Sequence, residues 1–182
     1  MDLRFQQAFD LTAHADEVQP AYWFYALFLG IGVGLLALAI VLMRHRLRRR
    51  KFTLAFAIFW LGFTSVFTFM DAREVLLIRD LIQRGDFAVV EGCLAYFHPG
   101  HSIPGRGDEG ESWSVGGVRF RYGAGEIRPG YRLVEPGGGA VHADTRVRVS
   151  FVTSQVYQSN LIVKLDVAPH ACPPAPDTGP RY

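Results

Sequence analysis

The sequence has few of the features that mark a catalytic or redox protein. It contains only two cysteines, Cys93 and Cys172. It lacks a P-loop, a nucleophile elbow, a helical HExxH zinc motif and a dinucleotide-binding fingerprint. Neither of its two long apolar runs contains a charged residue, which argues against proton or ion translocation by this chain alone. We therefore expect a protein that is not an enzyme and that binds no cofactor.

Positive charge is concentrated in one short segment. The formal net charge is only +2, yet residues 44–51 contain six Lys or Arg, while residues 86–182 are close to neutral. A nucleic-acid-binding domain would spread its basic residues over a folded face, so we expect no nucleic acid as a partner. The pattern instead indicates membrane topology, and the residues that carry it are Arg44, Arg46, Arg48, Arg49, Arg50 and Lys51.

Two uncharged runs flank this segment. Residues 21–43 would form a helix of about 34 Å, enough for a hydrocarbon core of about 30 Å, and residues 52–70 form a second run. They predict a transmembrane hairpin over residues 21–85, with residues 44–51 as a cytoplasmic loop and residues 71–85 as an amphipathic stalk. Residues 1–20, which are polar and acidic and should form an N-terminal tail, and the chain end beyond the hairpin should then both lie outside the cytoplasm.

The pattern changes to a period of two after Asp86. A hairpin around Gly116-Gly117 would place Trp113 opposite Phe120 on one face of a sheet. Residues 146–152 and 161–167 alternate in the same way, with Ile162 expected to point outward. Residues 86–167 thus predict a small all-β domain, an OB-like or SH3-like barrel or a sandwich, which makes the chain an α+β membrane protein. The proline-rich residues 168–182 should be disordered.

The segments VVEGCLAYFHP, ESWSVGGVRFRY, TRVRVSFV and LIVKLDV follow one another in the second half of the chain. In this order they resemble uncharacterised bacterial inner-membrane proteins in which a small β-domain follows or interrupts transmembrane helices. The resemblance covers roughly residues 87–167 and contains no catalytic motif. It implies a bacterial inner-membrane protein with a barrel-like domain, and it carries over no functional residue.

His98 and His101 are the only local pair with metal-ligand chemistry, separated by Pro99-Gly100. A metal site needs three or four fixed ligands. The shell could be completed by Asp108, Glu109, Glu111 or the distant His142. The Pro-Gly spacing differs from the helical spacing of hydrolytic zinc motifs, so we favour a solvated loop and predict no metal.

Other residue pairs have both a structural and a functional interpretation. Cys93 and Cys172 either form a disulfide, if they face an oxidising compartment, or remain a buried and a free thiol. Gly30 and Gly34 form a GxxxG pair that could contact the second helix, through Gly62 or Ser65, or a second copy of the chain. A possible basic patch on neighbouring strands, for which a plain solvated face is favoured, consists of Arg119, Arg121, Arg146 and Arg148.

The leading hypothesis is a membrane-anchored, non-enzymatic binding or scaffolding protein. Its partners would be the lipid bilayer and an envelope protein or a second copy of itself. Because the β-domain core should be filled by side chains, binding would use its outer face, the loop of residues 97–110 or a strand edge. The alternatives are a small-ligand or metal sensor that uses the His98–His101 loop, and an enzyme with dispersed residues.

Overall fold

The computed structural model describes residues 5–44, 50–103, 107–126 and 128–177. The chain forms two compact units. One comprises residues 19–76, and the other combines residues 1–18 with residues 77–182. The second unit, called the β-domain below, is therefore built from both ends of the chain.

The two apolar runs form helices, α1 (Tyr22–Arg44) and α2 (Arg50–Arg84). Both are long and apolar enough to span a membrane. Helix α2 continues through residues 71–84 without a break, as the amphipathic pattern predicted. It ends at Gly85, whose φ of +71° is the left-handed conformation that glycine adopts most easily at a helix end. The sequence pattern predicted both helices because apolar length and the capping glycine are local properties.

Within the helical unit, α1 contacts α2 through one glycine and a few polar groups. A Cβ placed on Gly32 would lie 2.4 Å from Cδ2 of Leu61, so any side chain there would force Leu61 to shift. Trp60 Nε1 donates a hydrogen bond to the Phe28 carbonyl at 3.0 Å, and the Tyr25 hydroxyl donates to Asp71. In an apolar setting such bonds fix how the helices pack, because each unpaired polar group would be costly.

In its described residues the β-domain contains nine antiparallel strands in three sheets. The first sheet has the order β1-β9-β8-β2, the second β3-β6-β7, and the third is the small hairpin β4-β5. The strands are β1 (Gln6–Asp10), β2 (Ala88–Cys93), β3 (Tyr96–His98), β4 (His101–Ile103), β5 (Gly107–Glu109), β6 (Glu111–Val115), β7 (Val118–Tyr122), β8 (Arg146–Ser154) and β9 (Ser159–Ala168).

The β6–β7 hairpin has the predicted register. Trp113 lies opposite Phe120 and Val115 opposite Val118. Gly116 and Gly117 both have positive φ, +55° and +80°, as the tight turn requires. The rings of Trp113 and Phe120 are 4.6 Å apart between centroids, and both side chains are fully buried. The turn and the alternation fix this register together, since a slip by one residue would expose both rings.

The first and second sheets share one hydrophobic core. It includes Trp113 and Phe120 from the second sheet and Val147, Val149 and Leu165 from the first. Among the described strands these two sheets remain separate, so of the two predicted arrangements, a barrel or a sandwich, the barrel is wrong. A sequence pattern of period two is the same in a barrel and in paired sheets, which explains why it did not distinguish them.

Two further elements differ from the sequence-based expectations. Residues 6–10, expected in a polar tail, form β1, which pairs with β9. Ile162, expected outward, is buried in the core opposite Phe151, because the register between β8 and β9 shifts after Ser150. Such a bulge reverses the faces of the following residues, and no local sequence signal marks it.

The C-terminal residues 169–177, which we expected to be disordered, are fastened to the β-domain. Cys172 forms a disulfide with Cys93 of β2, with Cα atoms 5.8 Å apart. Ala175 N–H donates to the Ala143 carbonyl at 2.7 Å, and Phe97 N–H donates to the Pro176 carbonyl at 3.3 Å. A proline-rich composition gave no indication of these contacts, because they depend on the disulfide partner far away in the sequence. Residues 178–182 lie outside the described part of the chain.

Candidate functional site

A polar groove lies on the outer face of the β3-β6-β7 sheet. Its volume is about 1160 Å³. The sheet provides one wall, and the turn between β8 and β9, together with residues 123–126 and Arg128, provides the other side. The hydrophobic core lies on the opposite face of the same sheet, so period-two alternation sends the polar side chains of β6 and β7 into the groove. We call this surface the β-domain groove.

Arginines of β7 give the groove its charge. Arg119 and Arg121 alternate with the buried Phe120 and Tyr122, and both are exposed. The Arg119 guanidinium carbon lies 5.7 Å from the centroid of the Tyr96 ring, a cation–π arrangement across the sheet. With Arg128, three arginines face the groove, against one carboxylate, Glu126, in the described lining. The groove is therefore positively charged although the β-domain as a whole is not.

Arg128 holds the rim of the groove in place. It donates two hydrogen bonds of 2.6 Å to the Glu126 carboxylate, one of 2.5 Å to Ser159 Oγ and one of 3.2 Å to the Arg121 carbonyl. Its guanidinium thus connects the segment after β7 to the start of β9. Such a bidentate ion pair is geometrically specific, which makes Arg128 a structural part of the groove.

The turn between β8 and β9 is fixed by its own hydrogen bonds. Tyr157 N–H donates to Ser154 Oγ at 3.0 Å, and Gln158 has a φ of +49°. Asn160 Nδ2 donates to the Arg119 carbonyl at 2.9 Å, which joins the turn to β7. These bonds fix the position of the turn beside β7. They are favourable because each backbone group they use would otherwise need water as its partner.

Glu111 lies directly behind the groove, with its side chain in the core. It is fully buried, accepts a hydrogen bond from the Tyr122 hydroxyl, and accepts a second of 2.6 Å from the Glu135 N–H. Burial raises the pKa of Glu111 to about 7, and the hydrogen bonds from Tyr122 and Glu135 only partly oppose this. The period-two pattern placed Glu111 on the same face as Trp113 and Val115, so alternation was the signal that could have identified it as buried.

The predicted metal-ligand candidates are not brought together. His98 Nδ1 lies 3.0 Å from Asp177, and His142 Nδ1 lies 2.8 Å from Glu135. His101, Asp108 and Glu109 lie on the β4–β5 hairpin. Within the described ranges, no three His, Cys, Asp or Glu side chains are grouped so that they could hold a metal ion.

The four arginines considered as one basic patch belong to two different sheets. Arg119 and Arg121 face the groove, whereas Arg146 and Arg148 on β8 bind Glu91 of β2 at 3.0 and 2.8 Å. These two arginines lower the pKa of Glu91, Arg148 more strongly. Arg146 and Arg148 are therefore paired with one carboxylate on a neighbouring strand, and of the four arginines only the β7 pair lines the groove.

The other candidate residues lie in the helices. Arg44 closes α1, and Arg50 and Lys51 begin α2, while Arg46, Arg48 and Arg49 lie outside the described residues. A Cβ on Gly30 or on Gly34 would meet no atom within 4 Å. The close approach to α2 is therefore at the neighbouring Gly32, and the GxxxG pair has open space where a side chain would stand.

We expect Gly32→Val to destabilise the helical hairpin by about 1–3 kcal/mol, the usual cost of overpacking a close contact. The reason is the lack of space beside Leu61 and Trp60. The measurement is the mole fraction of sodium dodecyl sulfate that unfolds the hairpin, followed by tryptophan fluorescence. Gly30→Val is the matched control and should unfold like the original protein. Equal destabilisation by both variants would contradict this packing.

No protein-family model, curated protein or solved structure matches this chain.

Proposed function

We propose that this protein is a membrane-anchored, non-enzymatic binding protein whose β-domain holds an anionic partner in the β-domain groove. The observation that carries the proposal is the groove itself, which is large, polar and lined by three arginines and one carboxylate in its described part. Charge of one sign in a concave surface attracts a partner of the opposite sign and raises its rate of association.

The helices support the anchoring part of the proposal. Large apolar side chains point away from the hairpin, among them Phe59 and Phe63, which are 65% and 61% exposed. Such a surface is costly in water and favourable in lipid. Tyr22 and Trp23 are also exposed at the start of α1, where amphipathic rings prefer the headgroup layer of a bilayer.

The pairing of β1 with β9 supports a hairpin that crosses the membrane twice. β1 precedes α1 and β9 follows α2, yet both lie in one sheet, so both must be on the same side of the bilayer. The basic residues between the helices favour the cytoplasm. We therefore propose an inner-membrane protein of a bacterium, with both chain ends and the β-domain outside the cytoplasm.

This orientation predicts the behaviour of reporter fusions. Alkaline phosphatase fused to the C-terminus should be active, because it matures only outside the cytoplasm, and green fluorescent protein at the same position should be dark. Fusions made after Arg49 are the matched controls and should give the reverse pattern. Activity of the C-terminal fluorescent fusion would contradict the orientation.

Binding is tested by crosslinking in membranes followed by gentle solubilisation and mass spectrometry. We expect a specific envelope component or a second copy of the chain to be recovered with the full-length protein. Recovery should fall in Arg119→Ala/Arg121→Ala and persist in Arg146→Ala/Arg148→Ala, which removes the same charge from the other sheet. Equal recovery with both variants, or a lone monomer that also binds no anionic polymer, would refute binding in the groove.

A further inference from the structure

We infer that the ligand of the β-domain groove is an acidic polysaccharide, with sugar rings on the neutral hydrogen-bonding side chains and its carboxylate or phosphate groups on Arg119 and Arg121. This inference rests on the proposed binding function and names the chemistry of its partner.

Neutral polar side chains make up much of the groove lining. Hydroxyl and amide groups both donate and accept hydrogen bonds, as sugar hydroxyls do, so the two sets can pair in many registers along a chain. An ionic site for a single small anion would not need them. The residues that provide these groups are Ser112, Gln155 and Gln158, together with Thr153, Ser159 and Asn160, which already make one or two hydrogen bonds within the protein and offer a ligand only their remaining donor or acceptor.

Two aromatic rings accompany these groups. Tyr96 and Tyr157 line the groove on opposite sides, one from β3 and one from the β8–β9 turn. The C–H face of a sugar ring is apolar and slightly positive, and it packs on the negative face of an aromatic ring. A groove with aromatic rings beside hydroxyl and amide groups can therefore contact both the apolar faces and the hydroxyl groups of a saccharide.

The arginines require that this saccharide be acidic. Arg119 and Arg121 are exposed on the groove side of β7, so they are the cations that a ligand in the groove can reach, whereas Arg128 lies at its rim, bound to Glu126 and Ser159. Guanidinium groups bind carboxylates and phosphates through two parallel hydrogen bonds. The two arginines are two residues apart on one face of β7, about 7 Å along the strand, so they can contact charges on successive sugar units.

An acidic peptide fits the groove less well. Peptides are bound in extended form by adding a strand to a free sheet edge or by placing apolar side chains in pockets. The carbonyls of Arg119 and Arg121 on β7 already accept hydrogen bonds from Asn160 and Arg128, which blocks strand addition there. The groove also exceeds the roughly 300–1,000 Å³ of pockets for drug-sized molecules, which favours an extended ligand.

The test measures binding of the full-length protein in detergent micelles to four polymers. These are polygalacturonate, dextran phosphate, unmodified dextran and poly-glutamate. The first two carry sugar and charge, the third sugar alone, and the fourth charge alone. We expect binding to polygalacturonate, to dextran phosphate or to both, weakened by added salt, and binding to dextran and poly-glutamate weaker by roughly tenfold or more. The two acidic glycans distinguish carboxylate from phosphate as the recognised group.

Three variants separate the contributions. Arg119→Ala/Arg121→Ala should lose glycan binding by roughly tenfold or more, and Arg146→Ala/Arg148→Ala should keep it. Tyr157→Leu should weaken glycan binding without changing the residual binding of poly-glutamate, because it removes a ring and no charge. Near-ultraviolet circular dichroism confirms that each variant is folded.

The outcomes distinguish this inference from the proposed function. Poly-glutamate bound as tightly as the acidic glycans, and lost in Arg119→Ala/Arg121→Ala, would overturn the glycan and leave binding of an acidic protein in the groove. No binding of any polymer would also overturn the glycan, while the crosslinking experiment decides the proposed function independently. Glycan binding that survives Arg119→Ala/Arg121→Ala would overturn the groove as the site.

Discussion

Between pH 5 and pH 8, the free energy of unfolding of the β-domain is expected to fall by roughly 2–3 kcal/mol through the ionisation of Glu111. Burial raises the pKa of Glu111 from its ordinary 4.5 to about 7. The folded state therefore binds the proton more tightly than the unfolded state. The resulting stabilisation is fully present below pH 4.5 and is lost as the pH rises through 7.

The side chains around Glu111 explain the size of this effect. Its carboxyl group accepts hydrogen bonds from the Tyr122 hydroxyl and from the Glu135 N–H. The charges that act on it from neighbouring segments are those of Glu135 and His142. Tyr122 in turn accepts a hydrogen bond of 3.0 Å from Trp113 Nε1. A charge on Glu111, buried among Trp113, Tyr122 and Tyr131, is shielded from water, and no cation in the described part of the chain bonds to it. Protonation of the carboxylate removes the free-energy cost of this buried charge.

Glu111→Gln isolates this contribution. The glutamine keeps an oxygen for the Glu135 N–H and an amide that can donate to Tyr122, but it does not ionise. Urea unfolding of the full-length protein in micelles, followed by near-ultraviolet circular dichroism, should show a loss of stability with pH that is smaller in this variant by roughly 2–3 kcal/mol.

Glu91→Gln is the matched control for this experiment. Arg148 and Arg146 lower the pKa of Glu91, so its contribution to stability is present above pH 4.5 and is lost only as the pH falls below that value. The variant should therefore keep the loss between pH 5 and pH 8. An identical pH dependence in Glu111→Gln and the original protein would refute the role of Glu111.

The second large effect concerns the disulfide. Cys93→Ser/Cys172→Ser is expected to lower the free energy of unfolding of the β-domain by about 4 kcal/mol, because the bond closes a loop of 79 residues and restricts the unfolded chain. The same bond holds residues 169–177 on the domain, where Cys172 N–H donates to the Asp144 carbonyl at 3.1 Å. Loss of that segment would add to the destabilisation.

Reduction provides the control for the disulfide prediction. Dithiothreitol should destabilise the original protein and leave the double serine variant unchanged. Thiol labelling of unfolded protein isolated from membranes should find no free cysteine, as expected for a domain in an oxidising compartment. Two labelled thiols per chain, or a double variant as stable as the original protein, would contradict this prediction.

Local patterns in the sequence determined the elements that depend on neighbouring residues. The length of the apolar runs predicted α1 and α2, and the turn at Gly116-Gly117 predicted the register of Trp113 and Phe120. Alternation also predicted that Val147 and Val149 are buried. In each case the free energy that selects the structure comes from residues within a few positions of one another, so one segment contains the whole signal.

The tertiary structure alone decided which segments meet. Nothing in residues 6–10 indicated that they would pair with β9, more than 150 positions away, because an edge strand is selected by its partner. Two other features also depend on strand order. They are the bulge that turns Ile162 inward and the division of the four arginines between two sheets. The β-domain groove is the clearest example, because its walls come from β3, β6, β7 and the β8–β9 turn, which only the packing of two sheets on one core brings together.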